Sequence, residues 1–97
     1  MKNKFVLLKF YADWCEPCKW SEPVIKEALS LLGVPINIEL IDVGLQKERA
    51  MEFNVKSVPV FVLQLNEKEI WRMNGFDAAH KMAAAISSAI AQSGTKE

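Results

Sequence analysis

Apolar residues run almost unbroken over residues 5–12, with Lys9 the single charge among them. A stretch of that length and composition predicts a strand buried on most of both faces. From Pro17 the period changes. Trp20, Val24, Ala28, Leu31 and Leu32 recur at helical spacing, and Gly33 offers a stop. Pro17 suits a first helical turn, where its missing N–H costs nothing. Pro23 falls inside the periodic stretch and is expected to kink it. Residues 36–43 read as a second strand, and residues 45–53 as a short helix that Asn54 ends in the left-handed region. Residues 58–65 form a third strand, Asn66-Glu67-Lys68 a turn, and residues 69–74 a returning strand, so the last two make an antiparallel hairpin. Gly75 ends that hairpin and Asp77 is placed to cap. Ala78, Ala79, Met82, Ala83, Ile86, Ala89 and Ile90 then line one face of a final helix. Residues 93–97 are expected to fray.

The predicted order is β-α-β-α-β-β-α. A right-handed β-α-β half with parallel strands, joined to an antiparallel hairpin, gives an α/β fold: a four-stranded mixed sheet with helices on both faces. The 97 residues suit a single domain spanning 1–97, and an apolar fraction of 51% can fill its core. Acidic and basic residues balance at 12 each, which removes the electrostatic reason to expect nucleic acid or an anionic membrane as partner. Lys9 interrupts the first apolar run before it reaches the length of a secretory h-region, and no run approaches the roughly 18 apolar residues of a membrane span. The chain therefore reads as a cytoplasmic monomer.

Cys15 and Cys18 are the two cysteines, three residues apart. A bridge between them closes too short a loop to stabilise much through chain entropy. At the entry of a helix the two side chains share a face within reach of a disulfide. The unpaired N–H groups and positive dipole end of that helix favour a thiolate at Cys15. Cys15 is thus the candidate nucleophile, with Cys18, deeper in the helix and better shielded, the candidate resolving thiol. The ordinary alternatives are two inert thiols or a metal half-site. The only histidine, His80, lies in the final helix, so a metal site would lack ligands unless two chains shared a cluster.

The surroundings of the pair narrow the choice. Phe10-Tyr11-Ala12-Asp13-Trp14-Cys15-Glu16-Pro17-Cys18-Lys19 resembles the active-site segment of the thioredoxin family. Pro23 falls where that family carries a helix-kinking proline. Ser57-Val58-Pro59 matches its cis-proline segment, Gly75 matches a glycine on the same surface, and the spacing from Cys15 to Gly75 needs no insertion or deletion. The resemblance implies a minimal thioredoxin fold without the family's N-terminal strand and helix. It implies a protein-disulfide reductase with no bound cofactor and no metal, reduced by a thioredoxin-reductase-type electron donor. Trp14, Glu16, Pro17, Val58, Pro59 and Gly75 would contact protein disulfide substrates, with a cis bond before Pro59 presenting the backbone of Val58. A redox-sensitive adaptor module on the same fold is the alternative function. Met73, Asn74 and Phe76 would rim the same surface, Trp14 would sit partly exposed beside Cys15, and Trp20 and Trp71 would pack. His80 would lie on the surface.

Three positions depart from the family's pattern. Glu16 stands for a glycine, and a carboxylate beside Cys15 opposes the thiolate, which tilts the expectation toward a reductant. Asp13 and Lys19 add charges of opposite sign. Lys9 stands where many members bury an acid that takes the proton of the second cysteine, and that acid's lysine partner aligns with Leu40. Lys9 is expected to reach solvent or pair with a nearby carboxylate. Tyr11 stands for a tryptophan and is a modest change of packing.

Overall fold

The computed structural model describes residues 3–94. Strand β1 (Phe5–Tyr11) leads into helix α1 (Glu16–Ser30), then β2 (Asn37–Asp42), α2 (Lys47–Glu52), β3 (Val60–Leu65), β4 (Lys68–Asn74) and α3 (Ala79–Gln92). The expected order is therefore the observed one. The sheet runs β2-β1-β3-β4, with β1 and β2 parallel and the β1–β3 and β3–β4 pairs antiparallel.

Alternation along β1 divides the core in two. Phe5 and Leu7 pack with Phe61 and Leu63 of β3, Ile25 and Ala28 of α1, and Met82, Ala83 and Ile86 of α3. Leu8 and Phe10 face the other way, with Ile41, Val60 and Val62, and Phe53 closes that side. Each such side chain contributes about 1.5–3 kcal/mol on burial, so the central strands are held from both faces. Lys9 shares the face of Phe5 and Leu7 and is itself buried.

The hairpin turns on two residues. Leu65 pairs with Lys68, and Asn66 and Glu67 both take positive φ, 52° and 72°, as a two-residue hairpin loop whose twist matches its strands requires. A register shift after Leu63 leaves Ile70 as an extra residue in β4. Asn54 takes φ 58° and ends the α2 segment as expected.

Some expectations are corrected. Asp77 does not cap α3. Its carboxylate accepts from the adjacent Ala78 N–H at 2.7 Å, and the N-cap is Ala78, with no side-chain cap bond. Helix α1 includes Pro23 and ends at Ser30, ahead of the stop expected at Gly33. Its buried stripe is Cys18, Ser21, Ile25 and Ala28, which leaves Trp20 61% exposed rather than packed. Trp71 does pack against the larger core cluster, and His80 is exposed. Of the tail expected to fray, residues 95–97 lie outside the described residues.

A cysteine pair at the entry of helix α1

Backbone geometry puts Cys15 at the start of α1. Its N–H donates to the Ala12 carbonyl at 3.1 Å, closing a turn after β1, and its φ and ψ of −94° and 105° are those of a residue just outside a helix. As N-cap it does what a serine or aspartate usually does. Its Sγ accepts from the Cys18 N–H at 3.1 Å, so the sulfur already lies among the unpaired N–H groups and positive dipole end that favour a thiolate. Pro17 occupies the first turn without loss, since those N–H groups have no helical partner.

Cys15 and Cys18 form a disulfide with Cα atoms 5.3 Å apart. Both residues are 3% exposed, so the greater shielding expected of Cys18 is not seen in this bonded form. Ala12, Tyr11, Val43 and Val58 pack around the pair, while Asp13, Trp14, Glu16, Pro17 and Lys19 are exposed. Lys19 lies 3.9 Å from the Glu16 carboxylate, an exposed pair of little energetic weight.

A second segment arrives at the start of β3, the strand beside β1. The Val58–Pro59 bond is cis, as the resemblance implied, and the Val58 carbonyl oxygen lies 3.8 Å from Cys15 Sγ. Gly75, at φ 83°, donates its N–H to the Pro59 carbonyl at 2.7 Å. Trp14, 78% exposed, lines a 120 Å³ cleft with Val43, Val55 and Val58. The residues expected to form a docking surface (Trp14, Val58, Pro59 and Gly75) are thus linked to one another around Cys15. Met73 and Phe76 are partly buried against the core.

Behind Cys18 the surroundings are polar. A 380 Å³ cavity is lined by Lys9, Tyr11, Ala12, Asp13, Cys18, Lys19 and Glu22. Lys9 Nζ donates to the Cys18 carbonyl at 3.0 Å and to Glu22 Oε2 at 3.2 Å, and the Ser21 hydroxyl donates to the same carbonyl at 2.8 Å. Of the two outcomes expected of Lys9, reaching solvent is not seen, since it is buried, and pairing with a carboxylate is; that the carboxylate is Glu22 was not foreseen. The available signal was helical spacing, since Glu22 follows Cys18 by four residues and shares its face.

Among the described residues no group of three or more His, Cys, Asp or Glu side chains is placed to hold a metal ion. No helix among them is long and apolar enough to cross a membrane.

The thioredoxin family model matches residues 1–88. The chain belongs to the thioredoxin family. It is 32% identical over 88 residues to thioredoxin Y, chloroplastic, of rice (Oryza sativa subsp. japonica), covering 91% of this chain and 52% of the relative. A bifunctional thioredoxin reductase/thioredoxin of Mycobacterium leprae is 37% identical over 73 residues, or 75% of this chain and 16% of that protein. The thioredoxin fold is equally clear in three dimensions. A solved thioredoxin-2 of a malaria parasite superposes with a TM-score of 0.79 at 27% identity, over 91% of this chain and 85% of that one. The chain thus spans about half the length of the rice thioredoxin and a smaller share of the mycobacterial fusion.

Proposed function

We propose that this thioredoxin-family chain is a thiol–disulfide oxidoreductase that reduces disulfides in protein substrates. The observation that carries the reading is the Cys15–Cys18 pair, with Cys15 Sγ held at the N-terminus of α1 and 3.8 Å from the Val58 carbonyl. In the reduced form the Cys15 thiolate attacks a substrate disulfide, and the bond between the two substrate sulfurs breaks. Cys18 then attacks Cys15, reforming the pair and releasing the second substrate sulfur as a thiolate. Trp14, Pro17, Val58, Pro59 and Gly75 form the docking surface, and Glu16 and Lys19 set the charge at its edge.

Reduction is the favoured direction because Glu16 places a carboxylate beside Cys15 and opposes the stabilised thiolate that an oxidant needs. The pair needs no bound cofactor. Electrons come from a thioredoxin-reductase-type donor, in keeping with the relative whose name joins a reductase to a thioredoxin. The chain works as a monomer in a reducing compartment, with cytoplasm the first choice and a plastid the alternative that the rice relative suggests.

Insulin reduction in the presence of dithiothreitol tests the reading. The chain should accelerate precipitation of the insulin B chain, Cys15→Ser should abolish the acceleration, and Cys18→Ser should accumulate a mixed disulfide through Cys15. A potential near or below about −250 mV in dithiothreitol buffers agrees with a reductant, whereas one above about −180 mV makes the chain an oxidant or isomerase. No acceleration by the reduced chain overturns the enzymatic reading.

A further inference from the structure

Lys9 is the one charged side chain buried among the described residues, at 2% exposure, and the exchange reaction gives it no task. Its ammonium lies 5.9 Å from the centre of the Phe61 ring, on the face of β1 that also carries the core residues Phe5 and Leu7. Burying an ammonium costs free energy that a leucine or methionine here would not. Packing therefore does not account for the lysine. Backbone satisfaction does not either, because the carbonyl it reaches on Cys18 also accepts from the Ser21 hydroxyl. What Lys9 supplies to Cys18 is a positive charge held in a buried position. Glu22, bonded to that ammonium and 47% exposed, supplies the opposing one.

We propose that Lys9 and Glu22 are a pair of positioning residues that set how readily Cys18 gives up its proton for the resolving step. The proposal deepens the exchange reading and rests on it. In the mixed disulfide, the Cys18 thiol loses its proton to solvent water through the polar 380 Å³ cavity that it lines with both residues. The Cys18 thiolate attacks Cys15 Sγ, the Cys15–substrate bond breaks, and its electron pair leaves on the substrate sulfur, which takes a proton from solvent. The cysteines are oxidised and the substrate disulfide gains two electrons and two protons. Lys9 favours the thiolate by its charge. Glu22 moderates it, both by its own charge and by holding the ammonium.

Other charges face Cys18 as well. Asp13 comes from the β1–α1 loop, Lys19 from α1, and the Tyr11 hydroxyl from β1; Glu16 is tied to Lys19 at the exposed rim. Val43 and Val58 close the remaining side without charge. Lys9 differs from all of these in bonding to the Cys18 backbone carbonyl from a buried position, where screening is weak.

The test isolates Cys18 in a Cys15→Ser background and follows its thiolate by ultraviolet absorbance across a pH series. Adding Lys9→Met should make Cys18 about tenfold less acidic, and adding Glu22→Gln about tenfold more acidic, the low end of what a nearby unit charge does because each partner offsets the other. Near-ultraviolet circular dichroism reports whether each variant is folded. Should Lys9→Met fail to fold, Lys9→Gln replaces it with the same expected direction. In the intact pair, release of an aromatic thiol chromophore loaded on Cys15 should slow about tenfold with Lys9→Met and quicken with Glu22→Gln. Acidities within twofold of the parent, or shifts of both variants in one direction, overturn the proposal. Because acidity is read in a chain that cannot turn over, it is independent of insulin reduction by the unmodified chain, which alone decides the exchange reading.

Discussion

Replacing Lys9 by methionine changes one charge and leaves the volume of the stem nearly intact. The ammonium has been taken almost wholly out of water, and in return it holds one carbonyl and one carboxylate oxygen. Exchanging buried ionic groups for apolar ones of similar size is often neutral or stabilising by about 1–4 kcal/mol. Only one partner is exchanged here, so the outcome depends on what is left behind. Glu22 is 47% exposed and can turn to water, and the Cys18 carbonyl keeps its bond from Ser21. No unsatisfied buried group results. The gain is therefore expected at the low end, about 1 kcal/mol, or about 4–8 °C in Tm for a domain of this size.

Glu22→Gln is the opposite case. It leaves a buried cation without a counter-charge, and should lose about 1 kcal/mol, less than the ~3–5 kcal/mol of a fully buried pair because Glu22 itself is 47% exposed. Urea and thermal unfolding of the oxidised chain measure both. A Lys9→Met protein destabilised by more than about 1 kcal/mol would refute the reasoning, since it would make the ammonium a net contributor to the fold.

The remaining predictions concern docking, the hairpin and acid. Trp14→Ala removes the most exposed part of the docking surface, and should raise the KM for insulin several-fold with little change in kcat, as steady-state assays would show. Glu67→Gly relieves a non-glycine residue at φ 72° and creates the Asn-Gly pair favoured in such turns, which should stabilise by about 0.5–1 kcal/mol in urea unfolding. The Arg72 hydrogen bond, helped by its charge and opposed by partial burial, holds the Glu69 carboxyl below its ordinary 4.5. A depressed folded-state value contributes stability that is complete above the unfolded value and is lost as pH falls through the folded one, here below about pH 4.5. Glu69→Gln should therefore cost up to about 1 kcal/mol at neutral pH and almost nothing at pH ~3, because the pair is largely exposed.

Element order, the hairpin and the cysteine site were legible because each rests on local information. Period separates strands from helices, Asn66-Glu67 announces its own turn, and Cys15 and Cys18 are three residues apart. What escaped was the registration of α1. Of the predicted stripe, Ala28 is buried and Val24 and Leu32 pack against the core, but Trp20 and Leu31 are exposed, and Cys18, Ser21 and Ile25 are buried instead. Ile25 and Ala28 pack into the main core, and Cys18 and Ser21 face inward on the same stripe. Ser21 can do so because its hydroxyl finds the Cys18 carbonyl. The Lys9–Glu22 contact depends on that registration and links a strand to a helix, so composition alone could not show it. The exposure of Ile38 and Leu40 escaped for a related reason: β2 is an edge strand, and an Ile-rich sequence does not say which strand is outermost.

Burial also revises which departure from the family pattern carries weight. Glu16 is adjacent to Cys15 in sequence, but it is exposed and lies near the opposing Lys19, so water and salt screen its effect on the attacking thiolate. Lys9 acts from inside the core, where the same unit charge is felt more strongly. The two also act on different sulfurs and so on different steps. Glu16 bears on Cys15, hence on the first attack and on the potential, while Lys9 bears on Cys18, hence on the resolving step and its dependence on pH. Many relatives meet the second cysteine with a buried acid, a group that can take its proton. Here a buried cation bonds to its carbonyl, which favours the thiolate by charge and leaves the proton to solvent. The two arrangements predict opposite responses of thiol acidity to removing the buried charge: loss of a carboxylate favours the thiolate, whereas loss of the Lys9 ammonium disfavours it. Cys18 should therefore become less acidic in Lys9→Met, while Glu16→Gly moves chiefly Cys15.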